Sequence, residues 1–341
     1  MPMLMAVAMA GCLTFCVWKV VQMVSVPNVR VQSLQMRVKG RTTAAGYVFV
    51  VLTLASVVVA GWCGWVRGSH AYAERLDHRV MTPEDVAFSP GYTPDAEEKA
   101  TAERAIAVMT RAGGREDGGW GWRLQPAQLT RLGWLAVVAG DLPKAEGFLR
   151  RALEGGNPNE AMVVGYRRVL ALQGKTNADF YGAMREILVK RPEADHVRVA
   201  SAFGLLQQGK RDEFSAELTK VLERGRKGEE QAQRRAVESL GQIAANSGDQ
   251  AKFAEVTKQL DVLLERRPSS AVLREVRAAF AAGTGDWIGA EKSLREAIER
   301  APKSVQYWRQ LEQVLRDRGD EAGSREAGRT AAYHARMYAT W

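Results

Sequence analysis

The sequence predicts an all-α fold, a solenoid of helix-turn-helix repeats preceded by two transmembrane helices. Two observations carry this. Thr42 to Val66 is a run of 25 residues without a single charged side chain, and behind it a Gly-Asp or Gly-Lys pair recurs at near-regular spacing through the rest of the chain.

The first element is apolar from Met1 to Trp18, is closed by Lys19, and continues mostly uncharged from Val20 to Val29. Residues 1–26 are read as a first spanning helix. A signal sequence would need a positive region ahead of its apolar stretch, and Met1–Val7 contains no Lys or Arg. Met9-Ala10-Gly11-Cys12 has the look of a lipoprotein cleavage site, but the apolar run carries on past Cys12. The second span is residues 46–66. At ~1.5 Å per helical residue it covers ~30 Å, the thickness of the bilayer's hydrocarbon. Tyr47 lies near one edge of this span, with Trp62 and Trp65 near the other.

Loop charge sets the orientation. Lys19, Arg30, Arg37, Lys39 and Arg41 are basic with no acid among them, whereas Arg67, Arg75 and Arg79 are interleaved with Glu74, Asp77, Glu84 and Asp85. By the positive-inside rule the connection 27–45 is cytoplasmic and the rest of the chain is exported, which predicts a multi-pass protein of a bacterial inner membrane with its repeats in the periplasm.

The formal charge of +9 is concentrated at the front. Residues 1–94 carry 8 Lys/Arg against 4 Asp/Glu, leaving 40 against 35 in the remainder. A nearly balanced domain argues against nucleic acid as a partner. Cys12, Cys16 and Cys63 all fall in apolar segments, so the exported part has no disulfide, thiol nucleophile or Cys-based metal site.

Ser69, Pro83, Ser89, Pro90, Gly91 and Pro94 interrupt any period, which makes 67–95 a linker. Helical spacing resumes over Ala96–Ala112 and breaks at Gly113-Gly114-Arg115-Glu116-Asp117-Gly118-Gly119-Trp120-Gly121-Trp122. No strand precedes this cluster and no Lys-Ser/Thr follows it, so residues 96–125 read as a leading helix and a mobile surface loop rather than a phosphate cradle.

Residues 126–341 hold about six repeat units. Turn glycines fall at Gly140, Gly174, Gly209, Gly248, Gly285 and Gly319, at spacings of 34, 35, 39, 37 and 34. Pro158, Pro192, Pro268 and Pro302 punctuate the far ends of the units. Paired helices at this period cannot bury their own apolar faces, so neighbours must stack.

These residues resemble the tetratricopeptide repeat (TPR) family. Around Gly140, Leu132 and Gly133 fill a large-then-small pair on the first helix, and Ala145, Leu149 and Ala152 a small-large-small set on the second. Ala290, Leu294, Ala297 and Pro302 repeat the second half around Gly285, while Trp308, Leu311 and Leu315 repeat the first half before Gly319, as do Val237, Leu240 and Gly241 before Gly248. Small side chains let helices approach and large ones fill the groove between them. The match is uneven. Tyr166 and Arg167 replace large and small, Met184 and Ile187 fit only after a one-residue shift, and Phe214 stands at a small position. Gly225-Arg226-Lys227-Gly228 stands where a closing proline is expected, and Leu273, Val276 and Phe280 form a displaced stripe.

The resemblance implies a right-handed superhelical solenoid that binds other proteins or peptides in a concave groove lined by its first helices. Carried over position by position, the groove comprises Thr130, Trp134, Arg168, His196, Phe203, Gln207, Arg235, Gln242, Asn246, Gln306, Arg309 and Gln313. Its arginines would suit a polypeptide with acidic character. No catalytic residue, cofactor or metal is expected. His70, His78, His196 and His334 fit no zinc or triad pattern, and acid pairs such as Glu229-Glu230 lie on charged helical faces. The function expected is a non-enzymatic, membrane-anchored interaction scaffold or assembly factor. Two spans ahead of an exported repeat domain are also similar in layout to the cytochrome c maturation factor that presents apocytochrome to its ligase. Finally, Tyr333, Met337 and Trp341 form one stripe expected to fold back over Leu311 and Leu315.

Overall fold

The structure, a computed structural model, describes residues 2–156, 158–224 and 230–338. Trp341, the run from Gly225 to Gly228, and Glu229 lie outside the described residues. The chain divides into two compact units. One holds the residues up to Ala87, Gly91–Leu124 and Val138–Gly140, and the other holds Phe88–Pro90, Gln125–Val137 and the chain from Asp141 onward.

The first unit begins with α1 (Pro2–Ser25), three strands β1 (Val29–Val31), β2 (Leu34–Val38) and β3 (Arg41–Thr42), and the long α2 (Ala44–Asp77). The basic connection, expected as a loop in an all-α chain, is therefore a small antiparallel sheet in the order β1-β2-β3. Strands of two to five residues are too short to set a period against the helices on either side. The sheet pairs backbone groups that would otherwise lie open between two apolar helices. Met23, Val29 and Met36 are its buried core, with Phe49 and Val50 packed against them. Arg37 closes the end of α1. Its guanidinium donates to the carbonyl oxygens of Met23, Val24 (2.9 Å) and Val26 (3.3 Å), which have no partner inside the helix. Gly46 lies so close to the sheet that a β-carbon there would be 2.2 Å from the Met36 carbonyl oxygen.

The expectation of two spanning helices is met in part. Among the described residues only α2 is long and apolar enough to cross a membrane. α1 is 24 residues long, and the first expected span, residues 1–26, falls partly on residues 1–9, whose side chains lie outside those described. Within α1, Lys19 donates to Gln22 at 3.1 Å.

Beyond the apolar stretch α2 continues for eleven residues and packs along α4 (Ala96–Arg111), which follows the short α3 (Glu84–Ala87). Small buried residues, Ala73 on α2 with Ala102 and Ala105 on α4, permit the close approach. The glycine cluster after α4 is a tightly bonded turn. Asp117 Oδ2 accepts from Gly114 N (2.8 Å) and Leu124 N (3.1 Å), and Gly121 N donates to the Gly113 carbonyl (2.7 Å). A β-carbon at Gly121 would lie 1.9 Å from the Ala112 carbonyl oxygen, so glycine is required for this packing. The turn carries its tryptophans to α2. Trp62 Nε1 donates to the Trp120 carbonyl (2.9 Å), and the Trp62 and Trp122 rings meet edge to face at 6.1 Å.

Among the described residues the second unit contains twelve helices as six pairs: α5 (Pro126–Val138) and α6 (Leu142–Gly155), α7 (Glu160–Leu172) and α8 (Asn177–Lys190), α9 (Asp195–Gln207) and α10 (Arg211–Arg224), α11 (Glu230–Ser247) and α12 (Gln250–Arg266), α13 (Ala271–Gly283) and α14 (Trp287–Arg300), α15 (Val305–Asp317) and α16 (Glu321–Tyr338). The recurring Gly-Asp pair has two jobs. The glycine takes a left-handed conformation at the end of the first helix, as at Gly285 (φ 79°), which L side chains rarely adopt. The aspartate caps the second helix: Asp141, Asp249 and Asp286 each accept a backbone N–H three residues on, at 3.1, 2.9 and 2.9 Å. After Gly174 the cap is Thr176 rather than Lys175, in a reciprocal box with Asp179. That one-residue delay accounts for the shifted register of Met184 and Ile187, which are fully buried.

The small-large pairing holds in three dimensions. A β-carbon on Gly133 would lie 2.6 Å from Leu149 Cγ. Ala290, Leu294 and Ala297 are buried against Leu311 and Leu315, and Phe214, Leu218 and Val221 fill the pair around Gly209. The repeat region is thus a TPR-like stack of helical hairpins. At its far end α16 covers Leu311 and Leu315 with Ala327 rather than with the Tyr333–Met337 stripe. Tyr333 and Met337 stay 59% and 52% exposed, which corrects the expected fold-back, because the small Ala face allows α16 a closer approach to α15.

Candidate peptide-binding groove

First helices of successive repeats touch one another, α7 with α9, α9 with α11, and α11 with α13. These contacts run from α7 to α13, and the residues expected to line a groove fall into four groups.

On α5, Trp134 is buried at 6% exposure, with the Arg131 guanidinium 3.8 Å from its ring centre. The Thr130 hydroxyl donates to the Pro126 carbonyl within its own helix at 2.9 Å. On α7, Arg168 lies 5.6 Å from the Phe88 ring. Trp134 is thus engaged inside the protein, Thr130 is half-buried, and Arg168 is exposed.

The second group joins α7, α9 and α11. Arg235 forms an ion pair with Glu160 across the face of α9, and His196 is buried between them. Burial holds the His196 imidazole below its usual range, Glu160 works against that, and Arg235 adds to it. Sequence reasoning assigned Arg235 to an acidic partner, but Glu160 of the same chain already meets it. Their separation of 75 residues left no local signal.

The third group forms a cleft of about 500 Å³ between α9, α10 and α11. Phe203, Gln242 and Asn246, three of the expected residues, line it together with Leu206, Phe214 and Ile243, which sequence reasoning missed. Phe203 and Phe214 meet at 5.4 Å, nearly edge to face, and form the apolar floor. Gln242 Nε2 donates to Asn246 Oδ1 at 2.9 Å, leaving the Gln242 carbonyl oxygen and the Asn246 amide on the rim. Arg211, also on the rim, has no carboxylate partner among the described residues. Phe214 was legible only as an exception to the small-residue pattern. The exception opens this cleft. Gln207, one turn beyond Phe203, is exposed on the same helix.

The fourth group centres on Glu275 of α13, buried at 3% exposure. It accepts from Gln306 Nε2 (2.5 Å) and Gln310 Nε2 (2.7 Å) on α15 and pairs with Arg234 of α11 (3.3 Å). Gln306 is therefore a tie between repeats, and Gln313 bonds Asp317 at 2.8 Å. Arg309 is exposed and without an ion-pair partner among the described residues. No group of three His, Cys, Asp or Glu residues able to hold a metal occurs among the described residues.

No protein-family model and no curated protein matches the chain. Among solved structures it is similar to a tetratricopeptide repeat protein from Parabacteroides merdae, at 15% identity and a TM-score of 0.42 over 78% of this chain and 93% of that one. It is also similar to the human IFIT1 dimer with PPP-AAAA, at 14% identity and 0.40 over 68% of this chain, and spans little more than half of IFIT1, 56%. The TPR2AB domain of yeast Sti1 in its pHSP90 complex overlaps at 13% identity and 0.26, over 63% of this chain and 92% of that one. These superpositions are loose, and the TPR-like character of the repeats stands on their own packing.

Proposed function

We propose that the protein is a non-enzymatic interaction scaffold or assembly factor, held at a bacterial inner membrane by α2, whose exported repeats bind an extended polypeptide. The observation that carries this is the α9–α10–α11 cleft. Its two-phenylalanine floor suits one large apolar side chain, the Gln242–Asn246 amides suit the backbone on either side, and Arg211 suits a neighbouring carboxylate. The remaining expected groove residues are assigned lesser roles, because Thr130, Trp134, His196, Arg235 and Gln306 make contacts within the chain, whereas Arg168, Gln207, Arg309 and Gln313 extend the surface. The basic residues from Lys19 to Arg41 support a cytoplasmic sheet and exported repeats. A client-presenting role of the cytochrome c maturation kind draws on two spans, of which α2 is the one long and apolar enough among the described residues, so the scaffold reading is preferred.

Selection of a random peptide library on the full chain in nanodiscs tests this. Peptides with an aromatic or large aliphatic anchor beside Asp or Glu should enrich on the wild type and be lost with Ile243→Asp. Equal enrichment on both proteins would overturn the assignment.

A further inference from the structure

A second cavity, of about 430 Å³, lies between α2 and α4 just where α2 leaves its apolar stretch. Trp65, Gly68, Ser69 and Tyr72 of α2 form one wall, and Arg104 and Arg111 of α4 form the other, with no carboxylate in the lining. From Tyr47 to Trp65 the helix rises ~27 Å, so Trp65 falls at the edge of the hydrocarbon and Ser69 and Tyr72 reach ~6–10 Å beyond it, the depth of lipid headgroups. Trp120 and Trp122, brought to Trp62 by the glycine turn, mark the same level; Trp120 is 81% exposed.

Arg104 and Arg111 have no hydrogen-bond or ion-pair partner for their guanidinium groups among the described residues, in a chain whose repeats pair most of their arginines. They are two turns apart, on one face of α4, across a gap floored by a glycine. Resting on the reading of α2 as a membrane anchor, we infer that this cavity binds the headgroup of an anionic glycerophospholipid. The two guanidinium groups meet the phosphodiester and its negatively charged neighbourhood, the Ser69 and Tyr72 hydroxyls donate to headgroup oxygens, and Trp65 lies along the start of an acyl chain. A zwitterionic lipid offers the same phosphate but brings a cationic group against the two arginines, so the site discriminates by net headgroup charge. Gly68 keeps the space open: a β-carbon there meets nothing within 4 Å.

The test reconstitutes the full chain into nanodiscs of equimolar phosphatidylglycerol and phosphatidylcholine, extracts it gently, and measures the retained lipids by mass spectrometry. At about fivefold per arginine near a charged surface, the wild type should retain phosphatidylglycerol over phosphatidylcholine by roughly thirtyfold. Arg104→Gln with Arg111→Gln should abolish that preference. Gly68→Leu, which fills the cavity and keeps both charges, should lower retention of either lipid. Millimolar inorganic phosphate should not displace the lipid; if it does, the site takes free phosphate and the lipid assignment fails. Carbonate extraction of all three proteins from membranes reads the anchor separately. A chain that stays embedded but shows no lipid preference overturns the site alone, and one that is released by carbonate overturns the anchor and the site together.

Discussion

The Phe280 ring of α13 occupies the space that a side chain on Gly241 of α11 would need: a β-carbon at Gly241 would lie 2.3 Å from its Cζ. The contact joins the first helices of neighbouring repeats, and Phe253 supports the ring from α12 at 5.1 Å. Gly241→Ala should therefore overpack the junction and cost ~1–3 kcal/mol. Gly182 on α8 faces open space, so Gly182→Ala should be neutral or stabilise by up to ~1 kcal/mol. Denaturant unfolding followed by circular dichroism compares the two, and equal losses would count against the stacking described.

At the turn before α14 the cap is the sensitive position. Asp286→Ala removes the acceptor for Gly289 N and should cost about 1 kcal/mol, whereas Asp286→Asn, which keeps the oxygen, should cost much less. Melting curves of the two variants decide it.

What the sequence disclosed follows from how local the physics is. Gly285 and Asp286 were readable because a left-handed turn and a helix cap need only two adjacent residues. The sheet at β1–β3 was not, since each strand is shorter than the window in which alternation can be told from noise. In the groove, Phe203, Gln242 and Asn246 converge because position within a repeat fixes the face of the helix. The Arg235–Glu160 pair and the Glu275 network connect residues 31 to 75 positions apart, through contacts that no repeat pattern encodes.

His196 gives a pH dependence with a definite sign. Its folded imidazole titrates below the ordinary value of 6.5, so beneath that pH the unfolded chain binds a proton that the folded chain refuses. Stability contributed by the neutral ring is complete above pH 6.5 and falls as the pH drops through it toward the folded value. The melting temperature lost between pH 7 and pH 5 should be smaller in His196→Gln than in the wild type. An equal loss in both would show that burial does not hold the ring neutral.

Orientation can be read with reporter fusions, since α2 separates a purely basic side from a mixed one. Alkaline phosphatase joined after residue 95 should be active and joined at residue 35 inactive. The opposite pattern would place the repeats in the cytoplasm.

On α16 the two faces make opposite predictions. Ala327 and Ala331 are each 3% exposed, and Ala327 packs against α15 in one cluster with Leu311 and Leu315, while Tyr333 points away and touches the neighbouring His334 ring at 5.4 Å. His334 in turn stacks on Trp308 of α15 at 6.5 Å, so the helix is held by its small residues and by one imidazole. Ala327→Leu should force α16 away from α15 and cost ~1–3 kcal/mol, because a larger side chain has no cavity to enter. Tyr333→Ser removes an exposed ring and should change stability by less than ~0.5 kcal/mol. If Tyr333→Ser lowered the melting temperature as much as Ala327→Leu, the Tyr333 face would be part of the core after all, and α16 would have to be rotated about its axis from the position described.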